Sequence, residues 1–482
     1  MDALNLYILT FNCARNLVDV DRFSHHFFDS LPLTDNLNAS SSSVPPPDLI
    51  VLSLQEIAPI AYAFLGGSFL TPYFDTLSQV VNRAVAQRWD DVHYVNIVTD
   101  NSGMTGLMVF ARSDVAEQIA WLETARIGFG FQEMGNKGAV GARLGYLLPP
   151  SSSSSSRRDG EGGAEETQQP VELTFVAAHL APMEWAVERR NADWRSLVER
   201  LVFERQDSRA AVAGREPVET EENASESAPL LQERSAAAAS PVGQQQQQQQ
   251  QHDRRGIYVP TSYLFLAGDL NYRTADRPPK PGDRTSRFPR VDVETSDPRH
   301  YSHLLQEDQL SRERAQSRCF QGLSEAPISF PPTYKYSLAA RHAVSKAVGG
   351  DHALSQDWQW TGTRWPSWCD RVLYLDQAGQ PVRPLRYDAL PLFPTSDHRA
   401  VALAVSVPTR PMRPADALAQ RPAAPFPIDP DWARRRDAAR RKELVVGCVA
   451  YLGLTWEGNG VLVATVVGLL GVWLVLRSLL NA

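Results

Sequence analysis

Apolar residues fall in short blocks along most of this chain. Leu4–Phe11, Leu49–Leu54, His93–Val98, Leu107–Phe110, Ala139–Leu147, Val171–Ala178, Tyr263–Ala267, Val372–Leu375 and Ala400–Val405 are brief and rich in β-branched or aromatic residues. Runs of that length and composition predict strands. Two segments carry a helical period instead. One is Thr71–Arg88. In the other, near Trp185–Arg205, the residues Trp194, Leu197, Val198 and Leu201 recur at helical spacing. Many strands with interspersed helices predict a layered α/β fold. Periodicity does not distinguish sheet-on-sheet packing from a doubly wound sheet.

The pattern changes towards the C-terminus. Val461–Leu476 is uncharged and almost wholly apolar, and Leu479 and Leu480 extend it past Arg477, whose long side chain can snorkel. The run reaches about twenty residues, the length of a membrane span. A span over about 460–480 is expected, within an anchor of 444–482. The segment 431–443 carries six basic residues and reads as a juxtamembrane flank that stays on the cytosolic side and can meet anionic headgroups. Leu444–Trp456 is apolar but short for a span, so it reads as an interfacial stretch or as half of a hairpin with the next run. Three further stretches lack apolar content. Those at about 151–169 and about 206–255, the latter with Gln244–Gln251, predict disordered inserts in a catalytic domain of residues 1–407. Proline-rich 408–430 predicts an extended linker.

Composition narrows the class. The hydrophobic content of 43% is enough for a large core, and the net charge of −7 argues against a protein that coats nucleic acid. No nucleic-acid partner is expected. Cys13, Cys319, Cys369 and Cys448 show no C-x-x-C spacing, so neither a zinc cluster nor a disulfide framework is expected, and a reducing compartment fits. The N-terminus lacks the basic and apolar regions of a signal peptide. G-x-S-x-G and H-E-x-x-H are absent. Gly130-x-x-x-x-Gly135 starts like a P-loop, but Asn136 takes the place of its lysine. Gly135-Asn136-Lys137-Gly138 reads instead as a tight turn offering N–H groups and an ammonium to an anion.

The candidate chemistry sits at strand ends. Leu4–Phe11 ends at Asn12, Leu49–Leu54 runs into Gln55-Glu56, and Val171–Ala178 ends at His179. Tyr263–Ala267 runs into Gly268-Asp269-Leu270-Asn271, and Ser396-Asp397-His398 precedes the last run. Sheet edges converging on one mouth would bring this set to a single phosphate. Phosphoester hydrolysis needs charge neutralised on the phosphoryl oxygens and a water activated in line. A hard oxygen ligand such as Glu56 suits Mg²⁺. Asp269 could orient or deprotonate the water, with Asn271 on the same turn. A histidine kept protonated by an acid such as Asp370 can donate hydrogen bonds to phosphate.

The same segments resemble, in order, the motifs of inositol polyphosphate 5-phosphatases. They are Thr10-Phe11-Asn12, Leu54-Gln55-Glu56, Met134–Val140, His179-Leu180, Gly268-Asp269-Leu270-Asn271-Tyr272-Arg273, Pro331–Tyr336, Trp365–Arg371 and Ser396-Asp397-His398-Arg399. The resemblance covers about residues 1–405 and implies a four-layer α/β/β/α sandwich. It implies Glu56 as the main Mg²⁺ ligand with Asn12 nearby, and Asp269 as the water-activating residue beside Asn271. It makes His398 the phosphate-contacting histidine oriented by Asp370, with Asp397 close to metal or water, and His179 a second phosphate-binding histidine. Tyr334, Lys335 and Arg364 match positions that hold the substrate's 4-phosphate, Lys137 is similar to a residue near the 1-phosphate, and Asn136 beside it is expected to bind substrate. The substrate expected from the family and the anchor is the membrane lipid phosphatidylinositol 4,5-bisphosphate. The layout is similar to that of tail-anchored fungal members, which implies the endoplasmic reticulum membrane with the catalytic domain in the cytosol. Alternatives are a soluble inositol polyphosphate substrate, a nuclease or sphingomyelinase of the wider superfamily, or a non-catalytic tether.

Overall fold

The computed structural model describes residues 3–32, 44–148, 169–205, 255–291, 293–346, 359–377, 379–410 and 423–481. The two expected inserts and the middle of the proline-rich linker lie outside these residues. The strands form two six-stranded sheets. In spatial order, the first holds β11 (Arg383–Leu392), β12 (Arg399–Pro408), β1 (Ala3–Asn12), β2 (Leu49–Gln55), β4 (Thr105–Arg112) and β3 (Tyr94–Ser102). The second holds β10 (Asp370–Leu375), β9 (Ser262–Asp269), β7 (Val171–His179), β6 (Gly138–Tyr146), β5 (Ile119–Gly128) and the short β8 (Glu204–Arg205).

Every apolar block expected to be a strand is one. The pattern missed β5, β8 and β11, and these lie at or near sheet edges. An edge strand is half exposed and tolerates charge and proline. β5 carries Glu123 and Arg126, and β11 carries Pro384 and Pro391, so neither shows a clean apolar run.

Alternation along the strands builds the layers. In β1, Leu4, Leu6 and Ile8 enter a core between the sheets, together with Val140, Phe175 and Phe265 of the second sheet. Tyr7, Leu9 and Phe11 point the other way, onto α1 (Val20–His26), α2 (Ile60–Leu65) and α3 (Thr71–Ala86). The far side of the second sheet is covered by Trp194, Leu197 and Val198 of α4 (Val187–Arg200). Three apolar layers thus separate four structural ones, and the fold is an α/β/β/α sandwich. Each such buried side chain contributes roughly 1.5–3 kcal/mol. A one-residue slip would move all of them to the wrong face, so the alternation fixes the register.

At the C-terminus the basic segment and the apolar stretch after it form one helix, α5 (Trp432–Leu454). Its Trp432, Ala439, Glu443 and Gly447 are buried against the sandwich. Arg440 donates to the carbonyls of Phe64 (2.7 Å) and Leu65 (3.0 Å) at the end of α2, and Arg436 pairs with Glu204 at 2.6 Å. The flank expected to meet anionic headgroups therefore spends much of its charge on the sandwich. A sequence does not reveal which distant carboxylates and carbonyls meet long basic side chains. After Thr455 comes α6 (Trp456–Leu480), long and apolar enough to cross a membrane, with its apolar side chains exposed along its length.

Arg371, next in sequence to the candidate site residue Asp370, is fully buried. It pairs with Asp308 at 3.0 Å and with both oxygens of Glu325 at 2.6 and 2.7 Å. Removing one member of such a buried cluster strands the opposite charge, a loss of about 3–5 kcal/mol. Arg371→Ala is expected to lower the urea midpoint of the full chain in detergent by a corresponding amount. An unchanged midpoint would refute this structural role.

Candidate active site

Strand register brings the expected residues together. Parallel pairing of β7 with β9 sets His179 opposite Asp269, and antiparallel pairing of β9 with β10 sets Asp269 opposite Asp370. Gly138, at the end of the turn that carries Asn136 and Lys137, pairs with His179. In the first sheet, Asn12 pairs with Gln55, one residue before Glu56. The segment 333–336 is stitched to 397–399 by Arg399 N–H to Thr333 O (2.9 Å) and Tyr336 N–H to Asp397 O (3.0 Å). Glu56 and Asn271 both hold left-handed backbone, with φ of 46° and 58°. Non-glycine residues persist there only where their surroundings over-determine them.

Asp269 is the hub. Asn12 Nδ2 donates to its Oδ2 at 3.0 Å, His179 Nε2 lies 3.2 Å from the same oxygen, and His398 Nε2 is 4.0 Å away. The Asn271 N–H donates to Oδ1 at 3.1 Å. Burial opposes ionisation of Asp269, but the hydrogen bond from His179 and the charges of His398 and Lys137 hold its carboxyl well below the usual carboxylate range. His398 has the opposite tuning. Burial disfavours its charge, yet Asp370, 2.9 Å from Nδ1, together with Asp269 and Asp397, raises it to about 9. Asp370 is held in turn by the Thr333 hydroxyl at 2.6 Å. His179 is pushed down by burial and by Lys137, whose Nζ is 2.6 Å from its Nε2. One imidazole is thus kept charged and the other neutral around one anionic carboxylate.

Glu56 faces Lys137 at 3.7 Å and Arg15 at 3.2 Å, a position that favours positive charge. With the side-chain oxygen of Asn12, it offers the hard donors that a small divalent cation takes. Asp269, Asp370 and His398 also bring possible ligand atoms within 4.8 Å of one another. That trio is a poor cage, because a metal needs neutral imidazole and His398 is held cationic by Asp370.

Tyr334 lies tilted against His398, with ring centroids 4.5 Å apart, and the Arg273 guanidinium lies 4.2 Å from its ring centre. Lys335 pairs with Asp397 at 2.9 Å. Arg364 makes no ion pair with this cluster, but it lies close enough for its charge to act on Lys335. Its guanidinium donates to Thr363 O and to the Met183 sulfur. Asn136 keeps a buried side-chain oxygen without a hydrogen-bond partner. Two residues that the sequence assigned no role also belong here. Thr333 orients Asp370, and buried Arg273 supports both Tyr334 and Asn271. Both lie inside the motifs already quoted, Thr333 next to Tyr334 and Arg273 two residues after Asn271.

The family model for Endonuclease/Exonuclease/phosphatase family 2 matches residues 9–404. A type II inositol polyphosphate 5-phosphatase 15 of Arabidopsis thaliana is 29% identical over 320 residues, covering 63% of this chain and 23% of that protein. The polyphosphatidylinositol phosphatase INP53 of Saccharomyces cerevisiae is 26% identical over 364 residues, covering 74% of this chain and 23% of that protein. The chain therefore spans about a quarter of the length of these relatives. Among solved structures, the inositol polyphosphate 5-phosphatase domain of SPsynaptojanin, in complex with inositol (1,4)-bisphosphate and calcium ion, matches with a TM-score of 0.53 and 18% identity over 91% of each chain. That likeness supports the fold. With the family model covering most of the sandwich and the motif residues gathered at one edge of both sheets, the chain belongs to Endonuclease/Exonuclease/phosphatase family 2.

Proposed function

We propose that this chain is a phosphoinositide 5-phosphatase that converts phosphatidylinositol 4,5-bisphosphate to phosphatidylinositol 4-phosphate and inorganic phosphate, with Mg²⁺ as cofactor. The observation that carries the reading is the buried Asp269 carboxylate, kept anionic beside a cationic His398. Asp269 orients a water, and as the water oxygen bonds to phosphorus its proton passes by way of the carboxylate to solvent, since a carboxyl held this acidic does not keep it. The bond from phosphorus to the inositol 5-oxygen breaks, and that oxygen takes a proton from solvent. His398 donates from Nε2 to a phosphoryl oxygen, and Asn271 and His179 fix the carboxylate. Glu56 and Asn12 would hold Mg²⁺, which supplies charge neutralisation at the phosphoryl oxygens. Lys335, Tyr334 and Arg364 would take the 4-phosphate, and Lys137 and Asn136 the 1-phosphate side.

A lipid substrate is favoured over a soluble one by two exposed aromatics near the mouth. Phe131 is 72% exposed and Trp185 61% exposed. Phe131 lies on the turn after β5, and Trp185 just before α4, whose Arg189 donates to Phe129 O at 2.6 Å. α6 supplies the membrane attachment, and we place the domain on the cytosolic side of the endoplasmic reticulum.

The full chain in detergent micelles should release phosphate from phosphatidylinositol 4,5-bisphosphate with Mg²⁺ and not with EDTA. Asp269→Ala should cost roughly 10²–10⁴-fold in kcat. Lys335→Ala should erase the preference over a lipid lacking the 4-phosphate. Release from neither lipid by folded protein would sink the reading.

The pH dependence follows from His398. Its pKa stands above the ordinary 6.5, so the imidazolium is present below about 9 and lost as pH rises through that value. kcat/KM should fall across the same range. Asp370→Asn should move the fall to lower pH by more than about one unit. A limb that stays in place would show that His398 is not the titrating group.

Protease added to intact microsomes should digest the catalytic domain. Protection of the domain would overturn the cytosolic orientation.

A further inference from the structure

The turn that carries Lys137 is gripped from outside the sandwich. Its Gly135 N–H donates to Glu443 Oε1 of α5 at 2.7 Å. Glu443 is buried, and its other oxygen takes Arg440 at 3.1 Å, which itself caps the end of α2. Arg435 of α5 pairs with Glu133 on the same turn. On the opposite side, Gly135 O accepts the Met104 N–H at 2.8 Å, and Met104 O accepts the Ile57 N–H at 3.2 Å, next to Glu56. The fit is close: a Cβ on Gly135 would lie 2.8 Å from Gly103 Cα. One continuous set of bonds therefore runs from α5 through the Lys137 turn to the segment that holds Glu56.

We propose that Glu443 is a positioning residue for Lys137: the helix that leads the chain into α6 also fixes the turn at the mouth of the active site. The proposal rests on the 5-phosphatase reading for its catalytic consequence but not for the clamp itself. Without the carboxylate, the Gly135 N–H loses its acceptor, and α5 still holds the turn through surface contacts such as the pair of Arg435 with Glu133, four residues from Lys137. Lys137 is then free to leave Glu56 and His179. A backbone donor bonded to a charged acceptor is among the stronger hydrogen bonds, so its loss is felt locally.

The test uses the full chain in detergent with Glu443→Ala, Glu443→Met, Glu443→Gln, Lys137→Ala and the double variant Glu443→Ala/Lys137→Ala. Glu443→Met keeps the length of the side chain while removing the acceptor, and serves if the alanine variant does not fold. Glu443→Gln keeps an acceptor oxygen. Amide hydrogen exchange in peptides covering 134–138 is expected to speed up about tenfold in the Ala and Met variants and to stay within about twofold in the Gln variant. kcat/KM on micellar phosphatidylinositol 4,5-bisphosphate is expected to fall about tenfold with Glu443→Ala, but by less than about twofold further when Lys137 is already alanine. Unchanged exchange at 134–138 overturns the clamp. Equal losses in the presence and absence of Lys137 overturn its action through that residue. A wild-type chain inert towards the lipid fails the 5-phosphatase reading, and the exchange result still decides the clamp.

Discussion

Asp269 is a carboxylate almost wholly removed from water, and an ionised group in that position is tolerable only if its surroundings replace the hydration it gave up. The sandwich does this with fixed groups from two strands and three connecting segments. Asn12, His179 and the Asn271 amide supply hydrogen bonds, and His398 and Lys137 supply charge. None of these groups could be moved far without stranding the charge. The requirement ties both sheets together at one edge, since Asn12 belongs to the first sheet and His179 and Asp269 to the second.

The same logic explains the division of labour inside each motif. Asp370 faces His398, while the next residue, Arg371, points into a buried cluster with Asp308 and Glu325. Tyr334 lines the mouth, while Thr333 holds Asp370. Asp269 and Asn271 are at the site, and Arg273 supports Asn271 through its carbonyl. Alternation along extended backbone sends neighbours such as Asp370 and Arg371 to opposite sides, whereas at 269–273 the left-handed backbone of Asn271 interrupts the extended run. A motif therefore reads as a block in sequence although only part of it touches the chemistry.

α5 gives the C-terminal part of the chain a structural role in the domain. Its basic residues divide between carboxylates and carbonyls of the sandwich and the outer surface. The distance along the helix from Glu443 to its end at Leu454 is about 16 Å at 1.5 Å per residue. The mouth of the site is thus held near the start of α6 by a helix rather than by a loose tether.

The sequence by itself determined the strand blocks, the two long amphipathic helices, the apolar C-terminal run and nearly all the polar residues that meet at the site. It could do so because buried strands and a membrane-length run are local patterns, and because the motif residues sit directly at the ends of those strands. Tertiary structure decided the rest. The choice of two packed sheets rests on which faces of the strands meet. The edge strands β5 and β11 are stabilised by partners rather than by their own composition. The charge states of Asp269 and His398 depend on neighbours up to 257 residues away. The docking of α5 depends on carboxylates and carbonyls far away in sequence. Each of these is a contact between distant segments, and periodicity along one segment carries no record of what packs against it.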